Sequence, residues 1–127
     1  MQTFNQLKKL TRTIPADKPF DTRIAVLGDT ATQLLVTALC GCAYSHGINA
    51  EIYEAEYNQI FPEIVDDNSG LYAFAPDYVV IYMSSEKLLD EFCKLPLEQR
   101  TTFAGSVMSQ ITGQWNKIKS KLNCRII

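Results

Sequence analysis

RIAVLGDTAT, Arg23–Thr32, is the stretch whose reading decides the fold. Ile24–Leu27 is a continuous apolar run, the pattern of a strand buried on both faces of a sheet. Gly28 ends it, and a helical pattern begins just after Asp29 and Thr30. A strand, a tight polar turn and a helix are the opening unit of an α/β sheet. Ligands of such sheets bind at the strands' carboxyl ends, where Gly28-Asp29-Thr30 falls. Asp29 or Thr30 is the expected cap of the helix.

Downstream, that helix covers QLLVTALCGCAYSHG, with Gly47 in the place of a C-cap glycine. Ala50–Tyr53 reads as a second strand, and Tyr57–Val65 as a helix shortened by Pro62. Asp66–Gly70 is a turn, with Ser69 placed to cap a short helix at LYAF. Tyr78–Met83, YVVIYM, is the strongest strand signal in the chain. Ser84 or Ser85 is expected to cap a helix through Lys87–Lys94. Leu97–Leu122 reads as one long helix with Phe103, Val107, Ile111, Trp115 and Ile118 along one face. Asn123–Ile127, NCRII, reads as a strand that has just begun, so the sequence is expected to be a piece of a longer protein. Strands alternating with helices imply a parallel sheet with right-handed crossovers.

Upstream, Thr3–Arg12 carries Phe4, Leu7 and Leu10 at helical spacing, an amphipathic helix that packs on the domain or on a partner. Thr13–Thr22 holds Pro15 and Pro19 and reads as a connector. Two parts result: a helix and connector at 1–22, and an α/β domain at 23–127.

The chain has 127 residues, enough for one core. Its formal net charge of −2 argues against nucleic acid as a partner. No stretch reaches the about 18 apolar residues of a membrane span, and MQTFNQLKKLTR is too polar for a signal peptide. Cys40, Cys42, Cys93 and Cys124 form no CxxC pair. Cys40 and Cys42 are expected to be small core residues, and reduced thiols imply a cytoplasmic protein.

Two groups of residues could carry chemistry. Gly28, Asp29, Thr30 and Thr32 sit where backbone N–H groups can hold an oxyanion or a phosphate. Ser84, Ser85 and Glu86 follow the third strand and should share the same rim. Helix capping is the plainer reading of both groups. His46, the sole histidine, lies about four helical turns after Thr30, at the other end of the sheet. The hydroxyl of Thr30 therefore lacks an imidazole base within this sequence. The acidic residues Glu51–Glu56, Glu63, Asp66 and Asp67 have no metal-loop spacing, and no metal is expected here. A Walker loop, a GxGxxG turn, an HExxH motif and a DxDxT loop are all missing.

Three segments together resemble the amino-terminal region of FkbH-like proteins: LGDTATQLL, then HGINAEIYEAEYNQIFPEIVDDNSGLYAFAPDYVVIYM, then the long helix leading to a strand. The specific part is carried by His46-Gly47-Ile48, Glu54, Tyr57, Gln59, Ser69, Leu71–Phe74, Pro76-Asp77 and Val79–Ile81. The resemblance implies a three-layer, flavodoxin-like and SGNH-hydrolase-like domain joined to a downstream phosphatase domain of the haloacid-dehalogenase type. In such proteins that second domain uses magnesium. Some members load a glyceryl group from a phosphorylated three-carbon donor onto an acyl carrier protein.

Within the SGNH pattern Thr30 stands in the place of the nucleophilic serine. Met83-Ser84-Ser85-Glu86 replaces the glycine and asparagine block, and the closing Asp/His block does not occur before Ile127. The expected role is thus accessory: positioning a substrate or carrier, or packing against the catalytic domain. One alternative is a degenerate esterase with Thr30 as nucleophile and a histidine from elsewhere. Another is a flavodoxin-like small-molecule binding module; a cobalamin domain would want a histidine in Gly28–Thr32, which has none.

Overall fold

The computed structural model describes residues 2–127. Four parallel strands form one sheet in the order β2-β1-β3-β4: β1 at Thr22–Gly28, β2 at Ala50–Glu54, β3 at Tyr78–Tyr82 and β4 at Arg125–Ile126. The α/β architecture expected from Arg23–Thr32 is the one observed. Ala25–Gly28 is buried throughout, as a central strand requires.

The register divides the sheet into two faces. Ala25 pairs with Val79 and Leu27 with Ile81, so these point one way. Val26 pairs with Val80 and Ile24 with Tyr78, and these point the other. The first face is covered by α3 (Ile60–Val65), α4 (Gly70–Phe74) and α7 (Phe103–Lys121). Ala25, Leu27, Ile64, Leu71, Val79 and Ile118 form its buried core. Among the described residues the second face is packed by α2 (Gln33–Ser45), against which α1 (Phe4–Thr11) lies. This split follows from right-handed crossovers: the chain moves one way from β1 to β2 and the opposite way from β2 to β3 to β4.

Several local readings change. The single helix expected over Leu97–Leu122 is two, α6 (Leu97–Arg100) and α7, with the break at Thr101-Thr102. Along α7 the inward position is Gln114, while Trp115 is exposed. The stripe follows 107, 111, 114 and 118, one step off the spacing read from the apolar residues. The helix expected from Tyr57 begins only at Ile60, because Asn58 takes a left-handed φ of 59°. Ser69 occupies the N-cap of α4 but donates its hydroxyl to the Glu63 carbonyl. The Glu63 carboxylate supplies the cap instead, accepting from Leu71 N at 2.9 Å and from the Tyr53 hydroxyl at 2.8 Å.

Cys42 is exposed and Cys40 only half-buried, so the expected pair of core cysteines is not formed. The residue between them explains this. Gly41 is the buried position of α2, and a Cβ added there would meet the Leu7 carbonyl oxygen at 2.5 Å. The backbone of α1 thus rests on Gly41, and Cys40 and Cys42 flank the contact. Thr3 and Gln6 close a capping box at the start of α1, with Thr3 N donating to Gln6 Oε1 at 2.8 Å. The connector after α1 is held by Asn49, whose amide donates to the Lys18 and Pro19 carbonyls at 3.0 Å.

Candidate functional site

The carboxyl ends of β1 and β3 lie side by side, Gly28 beside Tyr82. Asp29 N donates to the Tyr82 carbonyl at 3.2 Å, which extends the ladder one residue into the turn. The Asp29 carboxylate then accepts the Ser84 N–H with both oxygens, each at 3.0 Å. Asp29 therefore clamps the two strand tips rather than capping α2. Helix α2 starts four residues later, at Gln33, with Thr32 in the cap position and no side-chain cap bond. The hydroxyl of Thr32, nearly fully buried, donates to Glu54 Oε1 at 2.5 Å and ties the helix start to β2. Gly28 is required by close approach: a Cβ there would collide with the Thr32 methyl.

Ser84 caps α5 (Ser85–Lys94), its hydroxyl accepting from Lys87 N at 3.5 Å. Ser85 and Glu86 stand exposed in the first turn of that helix, and Thr30 is half-buried. The structure thus joins Asp29, Ser84 and Gly28 directly and leaves Ser85 and Glu86 outside that contact. The Ser84 N–H, an obvious oxyanion donor by position, is already spent on Asp29. His46 sits at the far end of α2, exposed, so no imidazole approaches Thr30.

Sequence reasoning missed the residues that build the wall beside this clamp. The Lys87 ammonium donates to the Asp29 carbonyl and to the Tyr57 hydroxyl at 3.3 Å, and lies 4.9 Å from the Tyr57 ring centre. Asn58 N donates to the Gly28 carbonyl at 3.1 Å, folding the β2–α3 loop over the strand tip. Next to these groups a cleft of about 240 Å³ opens between α3, α5 and α7. Asp29, Asn58, Lys87, Glu91, Gln110 and Gln114 supply its polar lining. Gln114 is 7% exposed, and its Oε1 has no hydrogen-bond partner among the described residues. An unpaired buried amide oxygen costs roughly 1–3 kcal/mol. The signal for Gln114 was in the sequence: a polar residue lies at the stripe position between Ile111 and Ile118.

Burial pushes the thiols of Cys40 and Cys124 above their ordinary range, which disfavours thiolate chemistry at either. Among the described residues no three His, Cys, Asp or Glu side chains gather as a metal would need. Among the described residues no helix is long and apolar enough to cross a membrane.

Comparison with known proteins agrees with this architecture. A crystal structure described as the N-terminal part of the protein BF1531 from Bacteroides fragilis, containing a phosphatase domain and complexed with Mg, is 33% identical to the chain, with a TM-score of 0.85. The match covers 99% of this chain and 32% of that one, so the chain spans about a third of its structural relative. Curated proteins give no match. The family model described as FkbH, N-terminal domain, matches residues 23–127. The chain belongs to the FkbH N-terminal domain family.

Proposed function

We propose that this chain is the accessory domain of an FkbH-like protein, packing against a phosphatase-type domain of the same protein and helping to position its substrate or carrier. The observation that carries the reading is the uncovered half of the second sheet face. There a groove of about 680 Å³ runs between α2 and the β3–β4 edge, lined by Ile24, Leu39, Ala43, Val80 and Ile127. Ile127 is 70% and Tyr82 46% exposed on that side. Apolar sheet surface of this kind marks an interaction site. The size of the phosphatase-containing relative, about three times the span of this chain, supports a covering element from the same protein.

In this reading the partner domain is of the haloacid-dehalogenase type and holds the magnesium. Its substrates would be a phosphorylated three-carbon compound and an acyl carrier protein, in keeping with the family resemblance. In this reading the SGNH-like rim, Gly28–Thr32 with Ser84–Glu86, is not a hydrolase centre: Asp29 and Ser84 serve as a structural clamp, and Asp29 lines the neighbouring cleft.

The parent reading frame past Ile127 provides the test. The expected result is a completed strand followed by a DxDxT loop, in a longer product that no longer binds a hydrophobic dye at the groove. A frame that ends at Ile127, or a longer product that still binds the dye with unchanged stoichiometry, overturns the reading.

A further inference from the structure

We infer that α5 is a hinged wall of the rim cleft: it swings away from the rest of the domain about Ser84 and Pro96, and the Lys87 ammonium is the catch that holds it shut. The inference does not depend on what covers the open sheet face.

Packing gives the first support. Leu88, Phe92 and Leu95 lie at helical spacing, the pattern of a helix that seats on a core. Yet α5 has no buried residue, and within it only Lys87, Leu88 and Phe92 are even half-buried. Its neighbours are seated more deeply: α3 buries Ile60 and Ile64, and α7 buries Gln114 and Ile118. Two cavities account for the difference. The cleft of about 240 Å³ reaches Lys87, Leu88 and Glu91. A second cavity, of about 600 Å³, lies between α5, α6 and the start of α7, against Glu91, Lys94, Gln99 and Phe103. Glu91 borders both, so unfilled space follows α5 along most of its length. A helix that buries little and leaves voids beside it lies at the low end of local stability.

The second support is where α5 is held. Before its first turn the Asp29 carboxylate accepts the Ser84 N–H, which fixes one pivot. At the far end Arg100 donates to the carbonyls of Cys93 at 2.7 Å and Leu95 at 3.0 Å, and the Phe92 and Phe103 rings meet at 5.6 Å. Leu95 and Pro96 are extended, with ψ of 144° and 148°, and Pro96 has no N–H to carry helical bonding on into α6. That joint is the other pivot. Between the pivots Lys87 reaches across the cleft mouth to the Asp29 carbonyl and to Tyr57 in the β2–α3 loop. Releasing Lys87 leaves the middle of the helix tied mainly through the Phe92 ring. Motion of this kind needs only a few residues at the element's ends to change their dihedral angles. The cleft lies beside the carboxyl ends of β1 and β3, where ligands of parallel sheets bind, so the position of α5 sets access to that rim.

The experiment is amide hydrogen exchange on this chain, comparing Leu89–Lys94 of α5 with Ile111–Ile118 of α7. The expected result is exchange at least tenfold faster in α5, with rates there that barely respond to low urea while those of α7 rise. Lys87→Met keeps the stem and removes the catch. It should speed exchange in α5 about tenfold, the equivalent of one charge-assisted hydrogen bond, and leave α7 and the melting temperature unchanged. Tyr57→Phe removes only the accepting hydroxyl and should give a smaller change in the same direction. Protection of α5 equal to that of α7 overturns the inference. So does a Lys87→Met effect that is equal in both helices, or α5 rates unchanged in both variants.

Discussion

The two faces of the sheet are built from alternate residues of the same strands, yet they end differently. Val79 is fully buried beneath α3, α4 and α7, while its neighbour Val80 lines an open groove. Nothing in YVVIY separates the two valines chemically. Topology separates them: two of the three crossovers fall on the Val79 face, and a single helix falls on the other. A run of β-branched residues therefore reports a strand, but not how well each face is covered.

The largest test of this contrast is a pair of truncations. Leu27→Ala removes a fully buried side chain from the sealed face and should cost about 3 kcal/mol in urea unfolding. Val80→Ala, on the open face, should cost about 1 kcal/mol or less. Equal losses would show that the open face is covered in solution.

Next comes Gly41→Ala, which pushes a methyl group into the Leu7 carbonyl. Overpacking of this kind costs about 1–3 kcal/mol. It should loosen α1, seen as faster proteolysis in the Thr13–Thr22 connector, and leave the sealed core intact. Protection of the connector equal to that of the parent would show that α1 is not seated on Gly41.

A smaller effect is expected at the Tyr53–Glu63 pair on the sealed side. Burial first, and then the hydrogen bond to Glu63, push the Tyr53 phenol up to about 12. A raised folded value means that the neutral phenol is the form the fold favours. This contribution is complete below the ordinary tyrosine value of about 10 and fades as pH rises from there through about 12. Tyr53→Phe should flatten that alkaline decline, measured as stability between those two pH values.

The smallest is at Asp67, which accepts from Lys117 at 2.6 Å and Lys121 at 2.9 Å and staples the end of α7 to the turn before α4. The two lysine hydrogen bonds hold its carboxyl below the ordinary value. Its contribution is therefore present above that ordinary value and lost as pH falls through the lowered one. Asp67→Asn should shrink the acid dependence slightly and, like other exposed pairs, lose its effect in high salt.

The sequence exposed the fold well because its signals were local. Ile24–Leu27 and Tyr78–Met83 are apolar runs bounded by turn residues, and their order implies a parallel sheet. The break at Thr101-Thr102 escaped notice because neither residue is a strong helix breaker. The inward turn of Gln114 escaped for a related reason: Trp115 offered the larger apolar group one position away. The site was legible only as a neighbourhood. Asp29 and Ser84 could be placed on one rim, but their mutual bond spans 55 residues of sequence. A carboxylate that clamps a distant N–H looks, on paper, the same as one that caps the next helix. Lys87, Asn58 and Gln110 carried no signal at all, since each matters only through what the fold sets beside it.

The central place of β1 bears on how the protein is made. Both of its partners, β2 and β3, follow it in the chain. During synthesis, at roughly 5–20 residues per second, Ala25–Leu27 leaves the ribosome several seconds before Tyr82 does. For that interval the central strand of the sheet has at most one neighbour to pair with. The nascent chain is then a natural client for a chaperone that grips short extended apolar segments, and slow translation between Glu54 and Tyr78 would lengthen its exposure.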